Sequence, residues 1–255
     1  MIPKIIHYCW FGGNSLPLNY QSYMESWKKN LPDYEIKCWN EDNFDVTQNL
    51  YCKEAYEHKK WAFVSDYARL KVIYDYGGIY LDTDVEVVKD LTTLITNGVG
   101  YIGFQNSEEV NTGLGFAAAP HNLCIKSMLD IYSRRKFILD NGEYNLIPCP
   151  AANTVGLMKC GLKTGQKTSR TIQHLDGLDV YPGEYFNPLN ADTKRLTISN
   201  KTYTIHWYTA SWVRNSAKKK QILKKFIPTS ILEYRTNWIA RRDIRKIFYE
   251  ISHKE

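Results

Sequence analysis

A chain of 255 residues has room for one large domain with a sizeable core, or for one domain with an appendage. A hydrophobic share of 44% excludes a disordered polar chain, and with no apolar run of about 18 residues a membrane-spanning helix is not expected. The net charge of +6 is uneven: from Arg214 onward 12 Lys/Arg stand against four Asp/Glu, so residues 1–213 are slightly acidic and only the tail predicts an anionic partner, a membrane surface or a nucleic acid.

The opening "MIPKIIHYCWFGG" lacks the tripartite order of a signal peptide, which points to the cytoplasm. Within it "KIIHYCW" predicts a buried first strand, ended by Gly12-Gly13-Asn14. A helical pattern follows around 20–29, then a short strand in "EIKCWN". The stretch "CKEAYEHKKWAFVSDYARLKVIYDYGG" reads as one long helix, with Phe63, Tyr67, Leu70 and Tyr74 as its core stripe and Gly77 as its stop. The dry strand Ile79-Tyr80-Leu81 comes next and delivers Asp82-Thr83-Asp84.

Downstream, "GYIGF" predicts a strand and 122–136 a helix. Residues 153–171, rich in Gly, Thr and Lys, predict loop around one short helix. "LDVYPGEYFNPLN" predicts irregular chain, and "TYTIHWYTASW" a last strand. Early alternation of strand and helix argues for an α/β fold with a largely parallel sheet. After Val213 a basic segment is broken at Pro228. A helix then resumes, with Ile244, Ile247, Phe248 and Ile251 on one stripe. It either lies on an anionic bilayer or docks on the body. The six cysteines form no C-x-x-C pair, so free buried thiols are expected rather than a zinc site.

The chemistry concentrates at Asp82 and Asp84. Two carboxylates on one strand end repel and are expensive to bury unless something positive sits between them. Hard oxygen ligands at the carboxyl end of a strand suit Mg2+ or Mn2+ carrying phosphate oxygens. Alone, D-x-D is a weak motif, and its bland alternative is a turn with solvated acids. On the preceding helix, Asp66 and Arg69 share a face at i, i+3. They form either a plain intrahelical ion pair or a grip on sugar hydroxyls.

Together, "IPKIIHYCWFGG", "SWKKNLPDYEIKCWN", "WAFVSDYARLKVIYDYGGIYLDTDVE", "NTGLGFAAAPH", "YPGEYFNP" and "TYTIHWYTASW" resemble the D-x-D sugar transferases of glycosyltransferase family 32. That family includes bacterial capsular-polysaccharide enzymes and fungal mannosyltransferases, and its sugar-binding segment is similar to that of the large clostridial glucosylating toxins. The resemblance runs from about Ile2 to Trp212 and leaves the tail outside. It implies a GT-A type nucleotide-sugar-binding fold, a Rossmann-like mixed sheet flanked by helices, over 1–213, with a basic helical extension over 214–255. It implies a retaining, metal-dependent transfer from a UDP- or GDP-linked sugar to a glycan or lipid-linked glycan, as in capsule or cell-surface polysaccharide assembly.

By the same resemblance Tyr8 and Trp10 lie near the base, and Asp66, Arg69 and Asp82 hold the donor's ribose and sugar. Asp84 and His206 ligate Mn2+ or Mg2+, and Ser211 and Trp212 cover the diphosphate. Asn111 is the candidate acceptor residue, and His7 is expected to be structural. The tail makes a peripheral location on the inner membrane face an expectation; no nucleic-acid motif accompanies it. Two rivals remain. One is a non-catalytic glycan-binding relative. The other is a D-x-D phosphatase, against which stands Glu86 where that motif has Thr or Val.

Overall fold

The computed structural model describes residues 1–209 and 227–252. A mixed sheet of seven strands has the order β2-β1-β3-β6-β5-β8-β7. Its strands are β1 (Ile5–Cys9), β2 (Glu35–Trp39), β3 (Gly78–Tyr80), β5 (Gly100–Gly103), β6 (Phe116–Ala118), β7 (Gln173–Leu175) and β8 (Leu178–Tyr181). A second sheet pairs β4 (Val85–Val87) with β9 (Thr204–His206).

The α/β architecture is as expected, but the sheet is not largely parallel. β1 runs parallel to β2 and β3, and β5 parallel to β8. β6, inserted between β3 and β5, is antiparallel to both, and β7 is antiparallel to β8. Only a short 3-10 turn (Thr112–Leu114) and no α-helix separates β5 from β6, so the chain returns in the opposite direction.

Alternation along β3 sorts its side chains. Ile79 and Leu81 enter the core shared with helix α1 (Leu18–Asn30) and the small sheet. Tyr80 enters the other core, under α3 (Trp61–Tyr76), α4 (Leu123–Ser133) and α5 (Cys149–Met158). Gly77, between α3 and β3, and Gly78, the first residue of β3, both take positive φ, 67° and 104°. A Cβ on Gly78 would lie 2.6 Å from the Ile5 carbonyl, so only glycine lets β3 lie this close to β1.

Three local readings need correction. The long helix is two, α2 (Leu50–Glu57) and α3, broken where Lys59 turns to φ 55° without any Gly or Pro to signal it. The Gly/Thr/Lys-rich stretch begins inside α5, whose first nine residues are all buried and therefore leave no amphipathic stripe. "LDVY" is strand β8, paired along its whole length with β5. All six cysteines are free, four of them buried. Helix α6 (Thr229–Ser252) docks on the body, with Ile244, Ile247 and Ile251 in the main core, while Phe248 of the expected stripe is exposed.

Candidate active site

Asp82 follows Tyr80 on the α3 face, so the D-x-D strand and the helix before it meet in one cluster. Arg69 Nη2 lies 3.2 Å from both Asp66 Oδ1 and Asp82 Oδ1. Its Nε donates to the Ser65 carbonyl at 3.1 Å, and its guanidinium sits 5.1 Å from the Tyr80 ring centre. Tyr80 donates its hydroxyl to Asp82 Oδ1 at 2.9 Å. Burial pushes the Asp66 and Asp82 carboxyls up, and Arg69 works against that rise at both. Two carboxylates share one guanidinium, which leaves a surplus of negative charge before Asp84 is counted.

His206 reaches Asp84 through the small sheet. In the β4–β9 register Val85 stands opposite His206, and the Trp207 amide donates to the Asp84 carbonyl at 3.0 Å. The other edge of β4 is closed by side chains of α1. Trp27 Nε1 donates to the Val85 carbonyl (2.7 Å), Asn30 Nδ2 to the Val87 carbonyl (2.8 Å), and the Val87 amide to Ser26 Oγ (2.9 Å). A three-residue strand is thereby satisfied on both sides.

His206 Nε2 lies 3.0 Å from Asp84 Oδ1, and Asp84 Oδ2 accepts from the Thr209 amide and hydroxyl at 2.8 and 2.9 Å. Burial alone would raise Asp84; His206 and the Thr209 hydrogen bonds outweigh it and hold the carboxyl at about 2. Ligand atoms of Asp82, Asp84 and His206 all fall within 4.8 Å of one another. His206 Nδ1 is buried with no hydrogen-bond partner among the described residues. Surplus carboxylate charge beside an imidazole with one idle nitrogen is a donor set that fits a divalent cation.

The structure brings Asp66, Arg69, Asp82, Asp84 and His206 together. Asn111 joins them at one remove: its Oδ1 accepts from the Gly113 amide (2.7 Å), and a Cβ on Gly113 would lie 2.6 Å from Asp82 Oδ2. Trp10 packs 5.7 Å from Tyr20, whose hydroxyl is 3.0 Å from Thr209 Oγ1, so it connects to Asp84 through two side chains. Tyr8 stands edge-on to Trp27 at 6.0 Å. Ser211 and Trp212 lie outside the described residues. His7 is fully buried: Trp39 Nε1 donates to its Nδ1 at 2.9 Å, and its Nε2 lies 2.9 Å from the Gly77 carbonyl.

Several residues of the site carried no sequence signal of their own. Thr112 Oγ1 lies 3.5 Å from Arg69 Nη1 and accepts from Asn153 at 2.9 Å. Tyr208 holds φ 49° with its ring 4.1 Å from His206 and its hydroxyl donating to Asn187 at 2.8 Å. Such a φ is unusual for a bulky residue and is maintained by those two contacts. Lys194 Nζ lies 5.7 Å from the Tyr208 ring centre. Burial lowers its amine, and the Asp84 charge partly restores it.

Residues 17–100 match the family described as a glycosyltransferase sugar-binding region containing a DXD motif. An uncharacterised glycosyltransferase of Acanthamoeba polyphaga mimivirus is 32% identical over 107 residues, 40% of this chain and 42% of that protein. Inositol phosphoceramide mannosyltransferase 3 of Schizosaccharomyces pombe is 33% identical over 98 residues, 37% of this chain and 27% of that one. The match thus spans under half of the length of either curated relative. Among solved structures, PaToxG glycosyltransferase superposes with a TM-score of 0.50 at 21% identity, over 62% of this chain and 69% of that one, a likeness of fold. Residues 17–100, with Asp82-Thr83-Asp84 near their end, are thus similar to the sugar-binding region of DXD-containing glycosyltransferases, and the fold around them is of the GT-A type that the resemblance implied.

Proposed function

We propose that the chain is a metal-dependent retaining glycosyltransferase, moving a sugar from a nucleotide diphosphate to a glycan hydroxyl. The observation that carries this reading is the juxtaposition of an Asp66–Arg69–Asp82 cluster with the Asp82–Asp84–His206 donor set. The first offers charged acceptors and donors to sugar and ribose hydroxyls. The second offers Asp84 and His206, with Asp82 in reach, to Mn2+ or Mg2+. A bound divalent cation would offset the negative charge that grows on the leaving diphosphate, an effect worth several kcal/mol.

In the proposed reaction the anomeric C–O bond to phosphate breaks as the acceptor oxygen bonds to the same carbon. The acceptor's proton passes to the departing phosphate oxygen. Asp66 and Asp82 are both engaged with Arg69, which disfavours either as a covalent nucleophile and supports attack on the departing group's own face. Trp10 and Tyr8 are the proposed base contacts, and Ser211 and Trp212 the proposed diphosphate contacts. The acceptor is proposed to approach past Asn111. Its Nδ2 donates at 3.0 Å to Gln105, which borders a cavity of about 760 Å³ lined also by Asn187, Asn190, Tyr208, Glu233 and Asn237. Amide side chains around an open cavity suit a sugar acceptor.

The test is release of free nucleotide from a panel of UDP- and GDP-sugars with and without Mn2+. Slow metal-dependent hydrolysis of one donor is expected; none with any donor would favour a glycan-binding protein. Asp84→Asn should lower turnover about a hundred-fold or more, on the order of 3 kcal/mol. Near wild-type turnover for that variant would remove the metal assignment.

A further inference from the structure

Helix α6 has two opposite faces. Leu232, Ala240, Ile244, Ile247 and Ile251 are buried against the body. Diametrically across, Ile231, Tyr234, Trp238, Arg242, Arg245 and Tyr249 follow one another at steps of three or four residues, a single outward stripe. Its large side chains are left in water: Trp238 is 55% exposed, Tyr234 73% and Tyr249 66%.

The stripe continues onto a second segment. A groove of about 860 Å³ runs between α6 and residues 139–147. Leu139, Tyr144 and Leu146 line it from the loop side, each exposed, and Trp238 and Tyr249 from the helix side. Arg241, Arg242, Arg245 and Lys246 stand along the same groove. Arg241 pairs with Glu108 and Arg242 with Asp243, both at 2.8 Å. No carboxylate among the described residues pairs with Arg245 or Lys246. Lys60 adds a cation beside the groove, 5.2 Å from the Tyr144 ring centre.

We propose that this face, α6 with the 139–147 loop, docks on a bilayer surface bearing anionic headgroups. Three features select that partner. Trp and Tyr with long cations above them favour the headgroup layer, where ring and amine each find their medium. Leu139, Leu146 and Ile231 offer aliphatic surface that acyl chains take up and that a nucleic acid has no use for. Cations left over after the internal ion pairs match the sign of an anionic leaflet. The face also bears on the site, because Arg241 holds Glu108 in the loop that carries Gln105. A bilayer seated here lies beside the proposed acceptor cavity.

The experiment is vesicle flotation of the full chain on phosphatidylcholine alone and on phosphatidylcholine with phosphatidylglycerol, at low and high salt. Binding only to the anionic vesicles, weakened by salt, is expected. The R245E/K246E variant should lower that binding about ten-fold or more. Trp238→Ala should lower it several-fold, and the blue shift of tryptophan emission on vesicle addition should be smaller in Trp238→Phe than in the wild type. Thermal melting and nucleotide-sugar hydrolysis of these variants should match the parent, which separates loss of docking from loss of fold or of catalysis. The proposal is overturned by absent binding to anionic vesicles, by binding that survives both variants (which would assign it to the lysines of 218–225), or by retention of a single-stranded RNA in place of vesicles.

Discussion

Gly113 shows how closely the site is packed at the level of single atoms. Its missing side chain leaves the space into which Asp82, Asn111 and Arg69 converge; a Cβ would stand 2.6, 3.0 and 3.3 Å from their polar atoms. Gly113→Ala must therefore push the Asp82 carboxylate off Arg69 while leaving the hydrophobic core untouched. Turnover should fall at least ten-fold, about 1.4 kcal/mol, with little change in melting temperature. Full activity in that variant would show that Asp82 is not needed where the structure holds it. At this scale the sequence was partly legible. Asp82 and Asp84 stood out because paired acids after a dry strand are costly. His206 stood out only through the whole "HWYTASW" segment. Gly113, Thr112, Thr209, Lys194 and Tyr208 did not, because each earns its place by a contact with residues far away in the chain. Spacing along a sequence carries no information about such contacts.

Strand β4 is the smallest element that the site depends on. It has three residues, and "VEV" is too short to announce itself between a D-x-D turn and a Lys-Asp pair. It forms because β9 satisfies one edge and α1 the other. Replacing Trp27 by Phe keeps most of the buried ring but removes the donor to the Val85 carbonyl. An unsatisfied buried carbonyl costs about 1–3 kcal/mol, and a loss of that size should be read in urea unfolding. A variant as stable as the parent would mean that β4 holds without α1. The same logic explains the misread elements. Helix α5 is buried all round, so no amphipathic period marks it. The α2–α3 break falls in "EHKKW", which contains no helix breaker. The sheet was expected to be largely parallel because the strand–helix alternation behind that expectation belongs to the first 80 residues, before β5 and β6.

For the whole molecule, one buried imidazole sets a pH limit. Burial lowers His7 from 6.5 to about 4, an effect larger than the opposing bond to the Gly77 carbonyl. His7 is thus neutral in the fold, while the unfolded chain takes up a proton below about pH 6.5. Its contribution is fully present above pH 6.5 and is lost as pH falls toward 4, about 3 kcal/mol in all. The stability difference between wild type and His7→Gln should therefore shrink by about 2 kcal/mol between pH 7 and pH 5, measured by denaturant unfolding. An unchanged difference would mean that His7 titrates in the native state as it does in the unfolded chain. The overall architecture was legible because the strand–helix order and the quoted motifs span most of the chain; the position of α6 was not. Its basic composition suggested an appendage, and only packing reveals that one of its faces completes the core.

The pairing of β4 with β9 also fixes when the site comes into being. Asp84 leaves the ribosome more than a hundred residues before His206, which stands opposite Val85 only after β9 has been made. A nascent chain folds from its N-terminal side as it emerges, at roughly 5–20 residues per second. For several seconds of synthesis the acids are therefore in place without their imidazole. Until then Asp84 lacks both His206 and Thr209, and the donor set that fits a divalent cation is assembled only as the last strand closes.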